Sequence, residues 1–177
     1  QQLTVAAWVH SDICRAEAIQ PLVSQWVPRT DFNAFDAYDA GHTDDLSTRG
    51  YFGAVFDGRY VYFCPVRDQQ DRTSVHGRVL RYDTQADFKK PAAWQAYDAS
   101  HTDDLHTAGF YGGAFDGRYI YFNPRDDGRT HHSRLLRYDT QAGFKDPAAW
   151  QAYDIALPHS GQGLAFDGQY LYFCPGY

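Results

Sequence analysis

The chain has 177 residues, a formal net charge of −6 at pH 7 and a sequence pI near 5.7. Its 16 Lys and Arg residues form no block, which excludes an electrostatic footprint for nucleic acid and a polybasic membrane patch. No apolar run approaches the roughly 18 residues of a membrane-spanning helix, while 44% hydrophobic residues are ample for a packed core.

Residues 1–39 read as a partial, degenerate unit. Leu3–Val9 fits a short strand, or Ala6-Ala7-Trp8 echoes a Pro-Ala-Ala-Trp segment met later. Ser11–Gln20 fits a long loop or a short helix capped by Ser11 or Asp12. Trp26, Phe32 and Phe35-Asp36-Ala37-Tyr38-Asp39 match Tyr82, Phe88 and Trp94–Asp98 with three residues deleted, so 22–39 is expected to form two strands. The opening residues lack the basic and apolar regions of a signal peptide, although a mature secreted chain would look the same.

From residue 40 onward the chain copies itself. Residues 78–98 read RVLRYDTQADFKKPAAWQAYD and residues 134–154 read RLLRYDTQAGFKDPAAWQAYD, with Arg81 and Arg137 spaced 56 residues apart. FDGRYVYFCP at 56–65 returns at 115–124 and 166–175, and HTDDLSTRGYFG at 42–53 returns at 101–112. Residues 40–98 and 99–154 are therefore two full units, and 155–177 is the beginning of another.

Each full unit predicts four short strands. In the first, one strand runs over Tyr51–Phe56 into an Asp57-Gly58 hairpin, whose two residues are expected to supply positive φ angles, and a second leaves over Tyr60–Phe63. A third covers Val79–Tyr82, alternating apolar and polar side chains, and a fourth covers Trp94–Tyr97 after Pro91. Helical spacing is absent. Cys64 and Cys174 occupy equivalent positions, where the middle copy has Asn123. With Cys14 they read as free, partly buried thiols, and a reducing cytoplasm follows as the default.

The blocks FDGRYVYF, RYDT and PAAWQAYD resemble repeats of the broad β-propeller superfamily. The resemblance implies an all-β propeller of ~56-residue, four-stranded antiparallel blades, about three per chain. Such a count is short of a ring, so a homodimer that shares its incomplete blades is expected to close it; an N-terminal segment plugging the gap is the alternative. The WD dipeptide, kelch glycines and quinone-enzyme signatures are missing, so no catalytic residue is carried over.

Antiparallel topology then sorts the loops. The segments joining one blade to the next share a face with the loops after each second strand, and seven of the eight histidines fall there. The candidates for ligand binding are His42, Asp44, Asp45, His101, Asp103, Asp104 and His106 in the HTDD copies. Arg125, Arg129 and His131 in the 125–133 loop join them, with His159 in the last copy. The His-Asp copies could ring a channel mouth and hold a divalent cation or sugar hydroxyls, or each could lock its own loop. Near-identical blades favour a noncatalytic protein recognising a small polar ligand of carbohydrate type. A hydrolase or lyase using His and Asp at the mouth, metal-assisted or not, is the alternative, and a protein-interaction scaffold is a third.

Overall fold

The computed structural model describes residues 37–68, 73–156 and 160–176. The readings made for Leu3–Val9, Ser11–Gln20, 22–36, Cys14 and His159 lie outside them. The described chain is all-β. Its elements in order are β1 (His42–Thr43), β2 (Leu46–Ser47), β3 (Tyr51–Phe56), β4 (Tyr60–Pro65), β5 (Arg78–Asp83) and β6 (Trp94–Asp98). The second copy follows as β7 (His101–Thr102), β8 (Leu105–His106), β9 (Phe110–Phe115), β10 (Tyr119–Pro124), β11 (Arg134–Asp139) and β12 (Trp150–Asp154). The last two are β13 (Gly161–Phe166) and β14 (Leu171–Pro175).

Strands β3 to β6 make one antiparallel sheet in chain order, β9 to β12 make a second, and β13 pairs with β14. The first strands of the three sheets adjoin, with β9 packed against both β3 and β13. All four strands expected in the first copy are present, three of them longer than expected because the ladders continue to Pro65, Asp83 and Asp98. No helix among the described residues is long and apolar enough to cross a membrane.

The Asp57-Gly58 hairpin works differently from expectation. Only Gly58 takes a positive φ, 104°. Asp57 instead accepts hydrogen bonds from the amides of Arg59 and Tyr60 at 2.7 and 2.6 Å and from Tyr62 Oη at 2.8 Å. A short carboxylate beside a turn satisfies amides that the ladder leaves over. Asp116 and Asp167 repeat the arrangement.

Aromatic packing between the two large sheets makes the main core. Trp150 stacks on Tyr97 at 4.9 Å, Tyr138 meets Tyr62 at 5.7 Å, and Arg81 lies over Phe144 at 4.2 Å. Tyr62, Phe122 and Tyr138 are buried, and the Trp150 indole N–H donates to Phe144 O at 2.9 Å, so its polar end is satisfied. Cys64 is wholly buried and Cys174 exposed. The two equivalent thiols therefore differ, because only the first sits inside a complete sheet.

A bulge interrupts the start of each first strand. It falls between Tyr51 and Ala54 in β3, between the Phe110 and Gly113 pairings in β9, and between Gly161 and Gly163 in β13. Gly53 and Gly112 carry positive φ angles of 82° and 71° there. A bulge re-aims the side chain beside it. Phe52, Tyr111 and Gln162 are the residues so placed.

Candidate functional site

The HTDD copies, expected as loops, are miniature hairpins. Thr43 pairs with Leu46 and Thr102 with Leu105, leaving two-residue turns. Asp44 and Asp45 take φ of 52° and 62°, and Asp103 and Asp104 take 51° and 59°. Two consecutive left-handed residues define the turn that suits strand twist, and Asp tolerates that region better than most.

The first Asp of each pair has a second task. Asp44 Oδ2 accepts from the Ala96 amide and Asp103 Oδ2 from the Ala152 amide, both at 2.8 Å. Ala96 and Ala152 belong to β6 and β12, the last strand of each sheet, so the carboxylates cover amides that no further strand pairs. Lys145 Nζ also lies 2.7 Å from Asp44 Oδ1. Burial works against ionisation of Asp44, but Lys145 and the Ala96 amide outweigh it and hold the carboxyl below its usual range. Thr43 and Thr102 add hydrogen bonds to the carbonyls of Ala40 and Ala99, each at 3.1 Å. Among the described residues these hairpins lie against β6 and β12, the last strand of each sheet.

Two histidines that share the loop face are structural pins. His132 Nε2 donates to Ala108 O at 2.7 Å, and its Nδ1 accepts from the Arg134 amide at 3.1 Å. His76 does the same with Arg49 O at 2.8 Å and the Arg78 amide at 3.2 Å. Burial lowers the pKa of both, that of His132 to about 4, so both are neutral at pH 7.

Three of the remaining candidates reach two further places, His106 and Arg129 the first and Arg125 the second. The first is a cleft of about 400 Å³ lined by Thr73, Val75, His106, Asp127, Gly128 and Arg129. Arg134 braces it, donating from Nε to His106 O at 2.6 Å and from Nη2 to Asp127 Oδ2 at 2.7 Å. Burial opposes ionisation of Asp127, yet bonds from Thr130, Arg134 and Arg129 hold its carboxyl far below the usual range. His106 faces His101 across the small hairpin, ring centroids 5.7 Å apart, and burial lowers its pKa. His131 turns back on its own loop, with Nδ1 3.1 Å from Arg125 O and 3.6 Å from Asp126 Oδ2.

The second place lies at the bulges. Phe52 and Tyr111 stack with ring centroids 4.3 Å apart and planes 18° off parallel, and Phe52 remains 54% exposed. The Arg125 guanidinium lies over the Tyr111 ring at 5.3 Å, and its Nη1 donates to Ser160 Oγ at 2.9 Å. The Gln162 amide, with its oxygen toward the guanidinium, accepts from Nη1 and Nη2 at 2.7 and 2.9 Å. Five side chains thus form an aromatic shelf with a polar rim. Of them only Arg125 was among the ligand-binding candidates read from sequence; for Phe52 and Tyr111 the signal was an aromatic residue before glycine in equivalent first strands.

Among the described residues no three His, Cys, Asp or Glu side chains gather as a metal site. His42, Asp45, Asp104 and His101 stay with their own hairpins. No family model matches the chain, and no curated protein is significantly similar to it.

Proposed function

We propose that the chain is a noncatalytic recognition module that binds a small polar ligand of carbohydrate type on the shelf of Phe52, Tyr111, Arg125, Ser160 and Gln162. The observation that carries this reading is Phe52, a large aromatic side chain turned out by a bulge, stacked, and yet more than half exposed. A pyranose has an apolar C–H face and a rim of hydroxyls. Aromatic faces carry negative charge density that attracts polarised C–H groups, while the Arg125 guanidinium and the Gln162 amide answer the rim, with the buried Ser160 hydroxyl holding the guanidinium in place. Binding sites of this size commonly combine an apolar lining with a few fixed polar groups. The cleft holding His106 and Arg129 opens on the same loop face and would serve a longer ligand.

The test is a glycan array, followed by titration of any hit against wild type and Phe52→Ala. Loss of at least tenfold in affinity, with an unchanged melting temperature, supports the shelf, since one stacked ring contributes about 1 kcal/mol or more beyond its area. Equal binding by both proteins, or an array silent to wild type, refutes it.

The architecture proposed with it is a β-propeller. Adjoining β3, β9 and β13 are the strands nearest the axis, the sheets fan outward from them as blades, and β13–β14 are the inner half of a blade completed by a second copy.

A further inference from the structure

The two faces of the second sheet are unequal. One packs on the first sheet. The other presents a groove of about 400 Å³ that includes Asp103, Tyr121, Arg137 and Tyr153. The repeat assigns each a counterpart in the first copy: Asp44, Tyr62, Arg81 and Tyr97.

The counterparts show what such a face receives. Tyr62 meets Tyr138 and Phe144, at 5.7 and 6.2 Å. Arg81 caps the Phe144 ring at 4.2 Å and donates to Tyr138 Oη at 3.4 Å. Tyr97 stacks on Trp150 at 4.9 Å and 15°. An aromatic triad at the corner of the third and fourth strands of the following sheet fills the face. Against the triad Tyr97 is half-buried, whereas its counterpart Tyr153 is 70% exposed.

The same junction occurs at the other end of the described chain. Tyr38 stacks on Trp94 at 5.4 Å and 16° and meets Phe88 edge-on at 6.3 Å, as Tyr97 does with Trp150 and Phe144. Tyr38 thus occupies the place of a fourth-strand tyrosine in a preceding blade. The sequence register that puts it there also sets Trp26, Phe32 and Phe35 where Tyr138, Phe144 and Trp150 stand.

We infer that the Tyr121–Arg137–Tyr153 face is a socket for the Trp26, Phe32 and Phe35 triad of a second copy of this chain. The inference rests on the propeller reading. Residues 22–39 would supply the outer strands of the blade whose inner strands are β13 and β14. Closure within one chain would make a ring of three blades, below the range of about four to eight that propellers use; two copies make six. Tyr172 and Cys174, exposed on β14 where Tyr62 and Cys64 are buried on β4, lie within the blade that the second copy completes.

The experiment is light scattering on the whole chain, wild type beside Tyr153→Arg and Trp26→Ala, with small-angle scattering for shape. The expected result is a disc of twice the 20.2 kDa chain mass for wild type and a single-chain mass for both variants. Tyr153 is exposed, so Tyr153→Arg keeps its fold, read by circular dichroism. Alkylation of Cys174 is expected to be at least about tenfold faster in Tyr153→Arg than in wild type, since thiol reactivity follows exposure. A disc-shaped dimer that both variants leave intact overturns the socket and leaves the propeller standing. An elongated wild-type particle overturns the propeller with it. A wild-type monomer overturns the second copy as occupant, whether another segment fills the face or none does.

Discussion

His132 makes the stability of the protein depend on pH in a window of its own. The ring is 7% exposed, donates from Nε2 to Ala108 O and accepts at Nδ1 from the Arg134 amide, so a second proton would turn the acceptor into a donor facing a donor. Burial, aided by the Arg134 charge and opposed by the Ala108 bond and Asp127, lowers its pKa from 6.5 to about 4. Between those values the unfolded chain binds a proton that the folded chain refuses, so stability rises with pH there. The contribution is complete above pH 6.5 and is lost as pH falls toward 4. One pKa unit corresponds to about 1.4 kcal/mol, so unfolding becomes easier by about 1 kcal/mol from pH 7 to 5.5 and by about 2 by pH 4.5. Depressed carboxylates such as Asp127 and Asp116 act at lower pH and do not obscure the window. Urea unfolding at pH 7, 5.5 and 4.5 reads the effect. His132→Gln, which stays neutral, is expected to flatten the dependence, leaving the smaller slopes of His76 and His106. Equal pH dependence in wild type and His132→Gln refutes the reasoning.

Other expectations follow from the hairpins and thiols. Asp103→Gly suits the backbone, at φ 51°, but removes the carboxylate from the Ala152 amide; the midpoint of thermal unfolding should fall, by about 1 kcal/mol of stability. Asp104→Gly, at φ 59°, relieves left-handed strain and should raise stability by about 0.5 kcal/mol. Opposite signs in calorimetry confirm turn chemistry; a loss of ligand binding in either variant would instead give the pair a direct ligand role. Cys64, whose thiol burial pushes up to about 12, should resist iodoacetamide until the protein unfolds, read by peptide mass mapping.

The repeat made the strands legible because a half-buried sheet imposes alternation and each Asp-Gly hairpin punctuates it. Tyr51–Phe56 was readable to the residue. The HTDD hairpins were not, since a two-residue turn is signalled by Asn-Gly or Asp-Gly and these copies use Asp-Asp. Their carboxylates also reach amides 52 and 49 residues away, contacts that local pattern does not carry. His76 and His132 looked like loop histidines because burial of a polar ring depends on partners such as Arg49 O and Ala108 O, outside its own segment. The shelf was hidden for a related reason. A bulge adds one residue to a strand, and sequence alternation alone does not reveal which side chain it turns outward.

Departures from the repeat bear on what kind of site the shelf is. Three first strands offer Phe52, Tyr111 and Gln162 at one position, and the loops that follow the second strands offer Val66 and Arg125 at another. Val66 is buried where Arg125 reaches Ser160 and the Tyr111 ring. Asn123, standing where the other copies have cysteine, donates to Tyr111 O at 3.0 Å and so holds the strand that carries the shelf. These differences meet in space, and near-identical sheets thus carry one asymmetric site. Similarity between the sheets is then no argument against catalysis. What argues for binding is the chemistry of the shelf. Two aromatic rings, a guanidinium and an amide offer a stacking face and fixed hydrogen-bonding groups, and Ser160 is already engaged by Arg125. A nucleophile needs a base within reach; a ligand needs only shape, an aromatic face and donors held in place.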